Sequence, residues 1–145
     1  MMLVGCAHMN PREASAPSHD PMIERLGQGI DDLKENLVRL RRHIEELNRT
    51  PPSDDPTIEE LRRLDMAGWR LHEQQWQAQL AYLTFARDGI RQAEAAPSLK
   101  GRLREQWLAQ QERFTATLDD LRKQRHELER RRLQLESGLV QHYFD

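Results

Sequence analysis

The sequence predicts an all-α protein, an elongated antiparallel three-helix coiled-coil bundle running up, down and up. Three observations carry that expectation. Ile23, Leu26, Ile30, Leu33, Leu37, Leu40, Ile44 and Leu47 follow one another at alternating intervals of three and four, an unbroken heptad seam. Trp107, Phe114, Leu121, Leu128 and Leu135 recur at strict intervals of seven, which implies left-handed supercoiling. Charged residues make up 32% of the 145 residues and hydrophobic ones 37%, and the Gly and Pro residues fall mostly outside the periodic stretches. That is the balance of a helical bundle, not of a compact mixed fold.

The first helix is expected over 22–48. Asp20-Pro21 supplies an N-cap and a first-turn proline, and Thr50-Pro51-Pro52 stops it. Glu35 with Arg39 and Glu45 with Arg49 are favourably spaced on its wet face. Asp55-Pro56 repeats the start signal for a second helix over 56–95, ended by Pro97. This helix carries two apolar stripes. One runs through Leu61, Leu64, Gly68, Leu71, Gln75, Ala78, Tyr82 and Phe85, the other through Ile58, Met66, Trp69, Trp76, Leu80, Leu83 and Ile90. A helix with two neighbouring stripes touches two partners, so it is the middle one. Ser98 is the expected N-cap of a third helix over 98–143, whose heptad row is supported by Leu103, Leu118 and Leu139.

Folding each pair about its turn gives a register. About Pro97, Phe114 falls opposite Leu80, Leu118 opposite Trp76, Leu128 opposite Met66 and Leu135 near Ile58, all on the second stripe. About Pro52, Ile44 falls near Leu61, Leu40 near Leu64, Leu33 near Leu71 and Ile23 near Tyr82, all on the first. Helix 1 then leaves residues 87–108 projecting as a hairpin tip with arms of roughly 15 Å. Ile90, Leu103 and Trp107 are less covered there and form a candidate partner-binding surface, the plainer reading being local packing across the hairpin.

Residues 1–6 read Met-Met-Leu-Val-Gly-Cys, and 7–21 carry Pro11, Pro17, Pro21 and several polar residues without an apolar period, the composition of a disordered tether. Leu3-Val4-Gly5-Cys6 resembles the lipobox of bacterial lipoproteins. The resemblance covers four residues. It implies cleavage before Cys6 and a diacylglycerol on its sulfur. It departs from the family in what precedes the motif: two methionines stand where a basic and apolar signal segment belongs, which a start codon assigned too late would explain. Ala7 follows the cysteine where inner-membrane lipoproteins typically carry aspartate, so the resemblance points to the periplasmic face of the outer membrane.

Chemistry-bearing motifs are few. The single cysteine excludes an internal disulfide, and Cys6, His8 and His19 lack a fourth ligand at metal-binding spacing. No Glu-x-x-His pair, His-Glu-x-x-His, P-loop or Gly-x-Ser-x-Gly occurs, so no enzyme, cofactor or metal is expected. Net charge is −2, which gives no global field for nucleic acid. The basic run Arg122, Lys123, Arg125, His126, Arg130, Arg131 and Arg132 is interleaved with Asp119, Asp120, Glu127, Glu129 and Glu136 and reads as self-paired, for instance Asp119 with Lys123 and Glu127 with Arg131. Arg125 sits on the seam-flanking row, in register with Trp69. The functional expectation is a lipid-anchored helical module of the bacterial envelope that contacts protein partners, possible homo-oligomers included. A cytosolic adaptor or export-chaperone-like protein is the alternative, and a nucleic-acid-binding helical protein a distant third.

Overall fold

The computed structural model describes residues 20–145. Cys6, the rest of the lipobox-like motif and the tether up to residue 19 lie outside the described residues. The chain is all-α. Three helices form the bundle: α1 (Asp20–Arg49), α2 (Pro56–Ala95) and α3 (Lys100–Phe144), with a short 3-10 turn at Pro97–Leu99. Asp20 is itself the first residue of α1 instead of its cap. Asp55 caps α2 as its sequence context demands. Its carboxylate accepts from Thr57 N at 2.8 Å and Ile58 N at 3.4 Å, and Pro56 fills the first helical position. Ser98 does not cap α3. The 3-10 turn absorbs it, and α3 starts at Lys100 without a side-chain cap.

The core sits mainly on the α1 seam, where Ile30, Leu33, Leu37, Leu40 and Ile44 are buried together with Leu64 and Leu71 of α2 and Leu121 of α3. α2 is the middle helix, packed against both others, and among the described residues no Cα of α1 comes within 8 Å of one of α3. Both neighbours run antiparallel to α2. Gly29 faces Leu83 and His43 meets Trp69 on one side, while Phe114 stacks on Tyr82 and Arg132 pairs with Asp65 on the other.

Two expectations about how the helices meet are corrected. The stripes are exchanged: α1 lies along Trp69, Leu80 and Leu83, and α3 along Leu64, Gly68, Gln75, Tyr82 and Phe85. The physical reason is polarity. Gln75 interrupts one stripe and accepts a hydrogen bond from Arg125 of α3 at 2.8 Å, so that stripe faces α3 and leaves the other to the Ile/Leu seam of α1. The α2–α3 register itself stays within about two residues of the expected one, since Phe114 reaches Tyr82 where Leu80 was expected.

The α1 register moves by about one heptad. Folding about Pro52 sets Gly29 near residue 75 or 76, yet a Cβ on Gly29 would lie 3.7 Å from Leu83 Cδ1. The cause is at the other end of the helix. The Arg62 guanidinium donates to Leu47 O at 2.8 Å, to Pro51 O at 2.9 Å and to Thr50 O, so α1 ends alongside Arg62 and the connection folds back beside the first turns of α2. Ser53 N donates to Glu59 Oε1 at 2.6 Å and fastens that return. By helical rise α1 therefore starts level with about residue 92, and the hairpin projects by roughly 7 Å, not from residue 87 onward.

Candidate interaction surfaces

At the hairpin end, Ile90, Leu103 and Trp107 are each half-buried. The Trp107 ring lies 4.6 Å from Tyr82 between centroids and 6.4 Å from Phe85, and Tyr82 stacks on Phe114 at 4.4 Å. These four rings form a ladder across the α2–α3 seam, in which offset and tilted aromatic contacts add to the burial of apolar area. Packing across the hairpin accounts for the position of Trp107.

The charge cluster of α3 is self-paired, with partners that differ from the i,i+4 expectation. Arg122 meets Asp119 at 3.6 Å and Arg130 meets Glu127 at 2.8 Å, both three residues apart. Two cations cross to α2 instead: Arg131 reaches Glu60 at 3.4 Å, and Arg132 pairs with Asp65 as well as with Glu136. Glu35 pairs with Arg39 as its spacing predicts, and Arg41 of α1 reaches Glu73 of α2 at 3.7 Å. Exposed pairs of this kind contribute at most about 1 kcal/mol each, so they orient the helices more than they stabilise them.

Between α2 and α3 an open groove of about 400 Å³ runs over Leu64, Gly68 and Leu128. Trp69 and His72 wall it on α2, and Arg125, Glu129 and Arg132 edge it on α3. Trp69 is 39% exposed, high for an indole on an apolar stripe, and meets two imidazoles edge-on, His43 at 4.9 Å and His72 at 6.4 Å. Gly68 keeps the floor low: a Cβ there would have nothing within 4 Å. The His72 imidazole packs edge-on against Trp76 at 4.3 Å. Burial first, and then the charge of Arg125, lower its pKa from the ordinary 6.5, so the ring is neutral at neutral pH. Arg125, set near Trp69 by the sequence register, shares this groove with it. Its hydrogen bond goes to Gln75, so its tie to α2 is an amide and not a ring face.

The end opposite the hairpin carries what the sequence reading missed. α3 outlasts α2 there, and Leu133, Leu139, Val140, Tyr143 and Phe144 are exposed, the last two at 83% and 80%. Ile58, near the start of α2, is exposed as well. The signal was present as four apolar residues among the last seven, combined with a third helix longer than the second. No helix of the described residues is long and apolar enough to cross a membrane. Among the same residues no three His, Cys, Asp or Glu side chains converge as a metal site. Comparison with protein-family models, with curated proteins and with solved structures finds no match to this chain.

Proposed function

We propose that the chain is a lipid-tethered interaction module of the bacterial envelope, held through Cys6 at the periplasmic face of the outer membrane and working by protein contact. The observation that carries the reading is the polarity of the molecule. The tether enters α1 at the hairpin end, and the exposed cluster Leu139, Val140, Tyr143 and Phe144 lies at the far end of α3. Helical rise separates the two by roughly 55 Å. Contiguous exposed apolar surface of this kind marks an interaction site in a water-soluble domain. A lipid-linked segment at one end would present the other to partners away from the bilayer, and two or more acyl chains give stable anchoring where one gives marginal anchoring.

Mass spectrometry of the protein isolated from its native host tests the anchor. The expected species begins at Cys6 and carries a thioether-linked diacylglycerol. Recovery of a chain with an intact Met1 and a free Cys6 thiol would overturn the anchored reading in favour of a cytosolic adaptor.

A further inference from the structure

The projecting end of the α2–α3 hairpin differs in charge from the rest of the molecule. The whole chain carries a net charge of −2, yet from Ala95 to Arg104 it holds Lys100, Arg102 and Arg104 and no carboxylate. Further along α3 the basic cluster is paired through Arg122, Arg130, Arg131 and Arg132. Between Asp88, which Arg87 holds at 3.4 Å, and Asp119 no ion pair forms among the described residues, so the three tip cations are exposed and unpaired. Helix geometry concentrates them. Side chains lean toward the N-terminus of their own helix, so those of α3 lean out over the tip, while Glu94 of α2 leans back along the hairpin. Glu105, the nearest carboxylate on α3, is set deeper than all three. Lys100 and Arg104 lie a turn apart on one flank and Arg102 lies on the other, so the cations straddle the turn at Pro97–Leu99. At that turn Leu99 is 43% exposed.

The chain enters α1 level with about residue 92, so the segment that leads to Cys6 departs beside this same end. Residues 6–19 span at most about 50 Å when fully extended. A bilayer held through Cys6 therefore lies within reach of the tip at high effective concentration. We infer that the hairpin tip rests on an anionic phospholipid surface, with Lys100, Arg102 and Arg104 against headgroup phosphates and Leu99 at the interface between them. Each cation beside an anionic bilayer strengthens binding roughly fivefold, so three of them supplement an anchor and do not replace one. The inference rests on the anchored reading for the source of the bilayer and adds an orientation. It turns the hairpin end toward the lipid and the exposed C-terminal end of α3 away from it.

The lysines of the described residues supply the test, because Lys34, Lys100 and Lys123 are all exposed and Lys100 alone lies at the tip. The full chain is coupled through the Cys6 thiol to a maleimide lipid in vesicles, and acetylation of each lysine is followed by mass spectrometry. On phosphatidylcholine vesicles containing phosphatidylglycerol, Lys100 should label several-fold more slowly, relative to Lys34 and Lys123, than on phosphatidylcholine alone. Molar salt should abolish the difference. Arg102→Gln with Arg104→Gln weakens the contact roughly 25-fold and should return Lys100 to its rate on phosphatidylcholine, with unchanged circular dichroism. Arg70→Gln with Arg122→Gln, the same charge change away from the tip, should leave the protection in place. Equal relative labelling of Lys100 on the two vesicles overturns the inference, as does protection that survives the tip substitutions or extends equally to Lys34 and Lys123. The coupling is chemical, so a free Cys6 thiol in the native host overturns the anchor alone. Equal labelling together with a lipidated Cys6 in the host overturns this inference alone.

Discussion

Leu37 and Val38 are neighbours in the sequence with opposite environments, and truncating each to alanine measures whether the α1 seam carries the fold. Leu37 is 4% exposed and Val38 is 54% exposed. Burial of the Leu37 side chain against Leu80 means that Leu37→Ala removes three carbons from the core and leaves a void. The usual cost is about 2–5 kcal/mol, and the lower half of that range applies, because the stems of Lys34 and Arg41 border the site and can settle into it. Val38→Ala loses methyl groups that already touch water, and the higher helix propensity of alanine offsets about 0.5 kcal/mol, so the net change is near zero. For a chain of this size about 2.5 kcal/mol lowers Tm by roughly 10 °C. Urea unfolding followed by circular dichroism and by tryptophan fluorescence gives both values, provided the two probes coincide and the slope is unchanged. Equal effects at the two positions, or a cost under about 1 kcal/mol at Leu37, would refute the assignment of α1 as a packed core helix.

Two further substitutions probe the turn and the groove. Arg62→Met keeps the stem of the side chain and removes the guanidinium that holds the Leu47, Thr50 and Pro51 carbonyls; a loss of about 1–3 kcal/mol is expected. Amide exchange should accelerate in the 50–55 connection before it does in α3, and protection that stays uniform would show that Arg62 does not hold the turn. His72 predicts a pH dependence with a definite sign. Its folded pKa lies below the unfolded value of 6.5, so the unfolded chain binds the proton first. The stabilisation is complete above that value and is lost as pH falls below it. His72→Gln should therefore lose less stability than the wild type between roughly pH 7 and 5, and parallel profiles would rule out the imidazole as the source.

Much of the architecture was legible in the sequence for stated physical reasons. Asp-Pro starts and Pro stops fix where helices begin and end because proline lacks the donor a helix interior needs, and α2 runs over the residues its punctuation marks. The two stripes on α2 identified the middle helix, since a helix with one partner needs one stripe. Ser98 misled because serine is a good cap only when the next residues turn α-helical at once, and Pro97 led into a 3-10 turn instead. The stripe assignment was readable from two polar seam residues that must find each other, Gln75 and Arg125. Proximity to the turn alone does not distinguish the stripes, because both start beside it.

The register of α1 was not legible, because heptad periodicity does not encode it. A heptad seam slid by seven residues meets an equivalent row, so periodicity is blind to a one-heptad displacement. What fixes the displacement is a local polar event, the capture by Arg62 of the Leu47 carbonyl of α1 and of two carbonyls of the connection, which a turn-centred fold-back does not contain. Moving α1 toward the hairpin gives cover to Ile90 at that end of α2, and Ile90 is half-buried. The exposed Leu139, Val140, Tyr143 and Phe144 have a separate cause: among the described residues no Cα of α1 comes within 8 Å of α3, and these four lie where α3 outlasts the start of α2, at the end farthest from where the chain enters α1.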